Sequence, residues 1–231
     1  MRPILFGLFA IVAVSSSSMG GAAIAADAPA TAGIAIDKDK KAVSIDAKIA
    51  PRRLEHLKGE LYPIEVVACW PHPKGKKAHE TVVTFDVNPS DVHKALEAVG
   101  LKPGKPVRGG DVPCTGPKLN IFIEVTNADK TVKRIPIDRV LVDPKTKKPL
   151  PKSVEFRFTG SIMSQPDPEK ELKVYGADLS GTLIAIYPVT DETVCQTSLT
   201  MKEEKFLKLE VLSEALPKEG TPVKLVLQAA N

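Results

Sequence analysis

Aromatic residues make up only 5% of the 231-residue chain, which has one tryptophan and three cysteines. Three scattered cysteines cannot supply the four thiolates of a cysteine-ligated iron–sulfur cluster, and they allow at most one intramolecular disulfide. Few rings and no continuous basic stripe argue against a nucleic-acid groove, which stacks bases along a cationic track. No G-x-S-x-G elbow, Walker loop, G-x-G-x-x-G turn or H-E-x-x-H helix occurs, because His79-Glu80 is followed by Thr81-Val82-Val83. Beyond the N-terminus, no apolar run is long enough to span a bilayer.

What is present begins with MRPILFGLFAIVAVSSSSMGGAAIAADAPA. Arg2 precedes an apolar run from Ile4 to Val14, then small residues and Ala23-Ile24-Ala25. This is the layout of a secretory signal peptide, so residues 1–25 are expected to be removed after Ala25. The apolar run is about half the roughly 20 residues a membrane anchor needs. The mature protein is therefore expected to be soluble and exported, periplasmic or extracellular. Residues 26–32 (ADAPATA) read as a flexible tail and 33–231 as a single domain. About 205 residues remain after cleavage, enough for a substantial core. The chain has 32 Lys plus Arg against 28 Asp plus Glu, and its basic clusters at Lys38–Lys41, Lys74–Lys77 and Lys145–Lys148 lie beside turn residues. They read as solvated loops.

The dominant period is two. In AVSIDAKIA, Val43, Ile45, Ala47 and Ile49 alternate with Ser44, Asp46 and Lys48, as in a half-buried strand. The pattern recurs in LYPIEVVA, TVVTFDV, KLNIFIEVT, TVKRIPI, VEFRFTG, TLIAIYPV, KFLKLEVL and PVKLVLQ, with a hairpin turn at Asn127–Lys130. One helix interrupts the strands. In NPSDVHKALEAVG, Asn88 can cap, Pro89 fits the first turn, and Val92, Ala95, Leu96 and Val99 form a buried stripe ending at Gly100. A shorter amphipathic piece is expected around Pro51 to Lys58. The fold class is mainly β, or α+β: antiparallel sheets, sandwich-like, with one main packed α-helix near 89–99.

Four stretches carry a resemblance. HETVVTFDVNPSDVHKALEAVGLKPGKPV, EFRFTGS, VYGADLSGTLIAIY and LPKEGTPVKLVL follow, in order, the pattern of the YdjY-type domain of exported bacterial proteins. The resemblance implies a β-rich exported domain and names no reaction. Thr81 stands where that pattern has serine after His-Glu, and Phe156 stands where it often has tryptophan.

The densest collection of reactive residue types is CWPHPKGKKAHE, residues 69–80. All four histidines fall between His56 and His93. Cys69, His72, His79 and His93 are the candidate ligands for zinc or copper, since thiolate and imidazole suit both. Strand alternation places His79 at the core rim and turns Glu80 outward, so the two act together only if residues 78–80 are irregular. Trp70, between turn-forming residues, is a candidate anchor, with His79 and Glu80 beside it. Cys69 can pair with Cys114, with 69–195 and 114–195 as alternatives. The reading that results is a non-enzymatic binding or structural module without a cofactor, recognising a protein or envelope polymer. A metal or redox site at Cys69, His72, His79 and His93 is the alternative.

Overall fold

The computed structural model describes residues 31–230. The leader at 1–25 and most of the tail at 26–32 lie outside the described residues. Among those described, no helix is long and apolar enough to cross a membrane.

The chain forms β1 (Ile34–Asp37), β2 (Ala42–Ile49), β3 (Val66–Cys69), β4 (Thr81–Phe85), α1 (Pro89–Ala98), β5 (Lys118–Thr126) and β6 (Val132–Pro136). There follow α2 (Ile137–Val140), β7 (Leu141–Val142), β8 (Phe156–Phe158), β9 (Met163–Ser164), β10 (Val174–Tyr175) and α3 (Gly176–Ser180). The last elements are β11 (Thr182–Ala185), β12 (Thr193–Thr197), α4 (Met201–Glu204), β13 (Glu210–Val211) and β14 (Pro222–Ala229). The main sheet runs β2-β14-β5-β8-β12-β11-β3-β4, and β4 pairs back onto β2 through Ala47 opposite Phe85. Eight strands thus close a barrel. β1 and β6 extend it on the free edges of β2 and β5.

The expected sandwich is corrected on two counts. Closure removes the open edges a sandwich keeps. The barrel is also mixed, because β3 runs parallel to β4 and β11 parallel to β12. Alternation reports which side chains point inward, but it carries no information about which strand lies beside which. That inward face is as the periodicity predicts: Val43, Ile45, Ala47 and Ile49 of β2 are buried, as are Val223, Leu225 and Leu227 of β14 and Leu119, Ile121 and Ile123 of β5. Asp46 and Lys224 pair across the outer face.

Other elements follow the sequence less closely. KFLKLEVL supplies only the two strand residues of β13, because Thr200 and Glu203 close a capping box and turn the preceding segment into α4. Pro51 to Lys58 yields one 3-10 turn at Glu55–Leu57 with nothing buried. The Asn127 hairpin forms as expected, with Lys130 at positive φ. Helix α1 buries Val92, Ala95 and Leu96, and it packs against β1, β2, β12 and α3. Its cap differs from expectation: Asn88 Nδ2 turns to Asp91, and Asp178 Oδ1 of α3 accepts from Ser90 N at 2.8 Å.

Candidate functional site

The parallel pairing of β3 with β4 sets Val66 opposite Thr81, so Glu65 and Glu80 stand side by side one residue earlier. Their main chains are already joined, Glu65 N donating to Glu80 O at 3.1 Å. Two neighbouring carboxylates repel. Lys77 resolves the conflict by donating to Glu65 Oε2 and Glu80 Oε2, each at 2.6 Å. Burial works against the Lys77 ammonium, but the two carboxylates outweigh it and hold its pKa above the ordinary lysine value. Burial, with Glu65 nearby, pushes the Glu80 carboxyl up despite the pull of Lys77.

Residues 78–80 are a 3-10 turn rather than the first residues of a strand. The expected facing is thereby reversed. Glu80 is the buried member, His79 is half-buried, and His79 Nε2 reaches Glu80 Oε1 at 3.2 Å. The Tyr62 ring meets His79 edge-on at 5.0 Å. Arg52 fastens the group by donating to His79 O at 3.0 Å, to Tyr62 O, and to Glu210 Oε1 at 2.8 Å. Beside Arg52 opens a cleft of about 400 Å³ lined by Ile49, Ala50, Leu61, Val82, Val211 and Leu216, with Lys218 and Glu219 at its mouth.

The rest of CWPHPKGKKAHE lies over the outer face of β3. Gly75 sits so close that a Cβ there would lie 1.9 Å from Trp70 O and 2.9 Å from Cys69 Sγ. Cys69 is fully buried beneath it with Val66 and Ala185. Trp70 is half-buried, donates Nε1–H to Val87 O at 2.7 Å and packs on Gly181, whose φ of +70° and contact distance admit no side chain. Trp70 thus packs against the core, the commoner of the two outcomes for a tryptophan in such a turn, rather than standing out as an anchor. The His72–Pro73 peptide is cis.

A family model for the YdjY domain matches residues 34–228. The chain belongs to the YdjY domain family. Neither the curated proteins nor the solved structures contain a match to it.

Two of the YdjY pattern's other stretches, EFRFTGS and VYGADLSGTLIAIY, converge elsewhere, on α1. Tyr175 of β10 hydrogen-bonds His93 Nδ1 at 2.7 Å and accepts from Ser161 N at 3.1 Å. His93 Nε2 faces Glu97 at 3.5 Å, and a Cβ on Gly160 would touch His93. Burial lowers the His93 pKa and raises that of Tyr175, so both groups rest neutral. This carboxylate–imidazole–phenol chain locks helix to sheet.

The YdjY domain therefore does not gather Cys69, His72, His79 and His93 into one site. His79 precedes β4 and His93 follows it; Cys69 is sealed under the loop, and His72 faces His56 instead. Among the described residues, no group of three or more His, Cys, Asp or Glu side chains is placed to hold a metal. Cys69, Cys114 and Cys195 are all free and buried, so the expected 69–114 bridge is absent. Cys69 points under its own loop, while Cys114 Sγ bonds Thr197 O at 3.2 Å on β12, which β11 separates from β3. Burial raises every thiol, Cys114 to about 11, so little thiolate exists at neutral pH. Glu65, Arg52 and Tyr62 were not singled out from sequence, and Lys77, read with its cluster as a solvated loop residue, is instead half-buried between two carboxylates. A signal was available, since both IEVV and HETVV carry a glutamate at the start of a β-branched run.

Proposed function

We propose that this YdjY domain is an exported, non-enzymatic binding module whose ligand site is the cleft beside Arg52. The ligand has an apolar body and a polar end. It is a small amphipathic molecule, or the terminal apolar group of a larger envelope component. One observation carries the reading: Ile49 of β2, Val82 of β4 and Ala50, just past β2 and hydrogen-bonded to Val82 O, supply an apolar floor beneath a mouth rimmed by charge. Its volume is within the range of small-molecule sites, and polar groups at an apolar cleft fix orientation. The neighbouring ionisable groups are occupied by one another, Lys77 by two carboxylates and Arg52 by Glu210 and two carbonyls. That arrangement suits a scaffold holding the cleft open. The leader pattern at 1–25 supports export, and a periplasmic or secreted form beginning at Ala26 by intact mass is the expected outcome.

The test uses 1-anilinonaphthalene-8-sulfonate, which joins an apolar body to an anionic end. One equivalent is expected to bind with enhanced fluorescence. Leu216→Trp, which fills the cleft, should weaken binding at least about tenfold, or about 1.4 kcal/mol. Phe206→Ser, at an exposed ring elsewhere, should not. Binding unaffected by Leu216→Trp, or none at all, overturns the assignment.

A further inference from the structure

The charged groups around the cleft beside Arg52 differ in what they still have to offer a ligand. Arg52 spends four of the five N–H donors of its side chain inside the protein, two on Glu210 and the others on the carbonyls of His79 and Tyr62. Glu210 Oε1 accepts from Arg52 Nε, Arg52 Nη2 and Val211 N at 3.1, 2.8 and 3.0 Å, while its Oε2 accepts from no described residue. Glu219 likewise uses Oε1 alone, for Arg52 N at 2.9 Å. Gly220 N donates to Ile49 O at 2.8 Å and so fixes Glu219 beside the apolar floor. The cleft therefore holds two anchored carboxylates, each with an oxygen to spare. Lys218 also lines it, but is exposed and bonds no described residue through its side chain.

We propose that the polar end of the ligand is a primary ammonium group, received by Glu210 and Glu219. This rests on the cleft being the ligand site and narrows its occupant to lipophilic amines. An ammonium carries three donors and no acceptor, which matches two carboxylate oxygens that lack donors. The Arg52 charge is offset by Glu210, so Glu219 is left as the fixed, uncompensated charge of the site. An anionic end would meet that charge with repulsion and would have only Lys218 to pair with, and ion pairs of exposed side chains contribute little. Hydrogen bonds between two ionised groups are the stronger kind. An anionic dye is held by its apolar rings alone, with the sulfonate turned to water.

Octylamine, octanol and octanoate share one apolar chain, so calorimetry at neutral pH compares their polar ends. Octylamine should bind at least about tenfold more tightly than octanoate. Glu210→Gln and Glu219→Gln keep the side-chain size, and each should reduce that preference at least about threefold. Glu204→Gln, outside the cleft lining, should keep it. Thermal melts would show which variants fold; should Glu210→Gln not, Glu219→Gln, at an exposed residue, carries the test. Octanoate binding as tightly as octylamine, or a preference that survives the substitutions, overturns this proposal alone, since Leu216→Trp would still abolish uptake of the shared chain. Binding of none of the three, or binding indifferent to Leu216→Trp, overturns the cleft as the ligand site and this proposal with it.

Discussion

Tyr175 gives the clearest consequence at the scale of a residue. Replacing it by phenylalanine leaves His93 Nδ1 and Ser161 N–H without their partner, which should cost about 1–3 kcal/mol in denaturant unfolding. His93 adds a pH dependence of definite sign. Its folded pKa is lowered from 6.5, chiefly by burial, with Glu97 opposing. The unfolded chain therefore takes up a proton first. The stability His93 contributes is complete above pH 6.5 and is lost as pH falls from there through the folded value. His93→Gln, which keeps an acceptor for Tyr175, should flatten that part of the stability–pH curve. Glu80 runs the other way. Its pKa is raised above 4.5, so its contribution is complete below that pH and declines as pH climbs through the folded value. Carbon-13 titration of the Glu80 carboxyl should give a midpoint above 4.5, and Lys77→Met should move it higher still. Little of this was readable beforehand. His93 sits at the edge of an amphipathic stripe, so a polar contact there follows from helical period, but its partner Tyr175 is 82 positions away. Glu80 was assigned to the wrong face because residues 78–80 form a 3-10 turn and β4 begins only at Thr81, so strand alternation does not apply to Glu80.

At the scale of an element, the loop over β3 answers what CWPHPKGKKAHE is for. Gly75 allows it to lie flat, Trp70 closes one end on Gly181, and Lys77 ties the other to Glu65 and Glu80. Gly75→Ala should lift the loop and make Cys69 reactive toward a thiol reagent under native conditions. Cys114 and Cys195 should stay protected, as peptide mapping after alkylation would show. Equal protection of Cys69 in both proteins would contradict the covering role. The strand β2 and the helix α1 were legible because each carries its period over at least two turns or four alternations. The loop was not, since Pro, Gly and Lys say that a chain turns without saying what it covers.

For the whole molecule, β2, β14 and β5 are the long strands, and their inward faces hold much of the core. Amide hydrogen exchange should be slowest at Ile45, Ile123 and Leu225, where the three are directly paired. It should be faster in β1 and β6, which pair on one side only. Membership of the inward face could be read from the sequence; the ring order could not, since it joins residues more than a hundred positions apart. That order has a consequence for biosynthesis. The segment that seals β2 to β5 is the last of the eight barrel strands in chain order, so the cylinder cannot shut until Pro222–Ala229 has emerged. A nascent polypeptide stalled before residue 222 would present two gaping flanks, and a stop codon there should yield material degraded by proteases rather than a shortened native form.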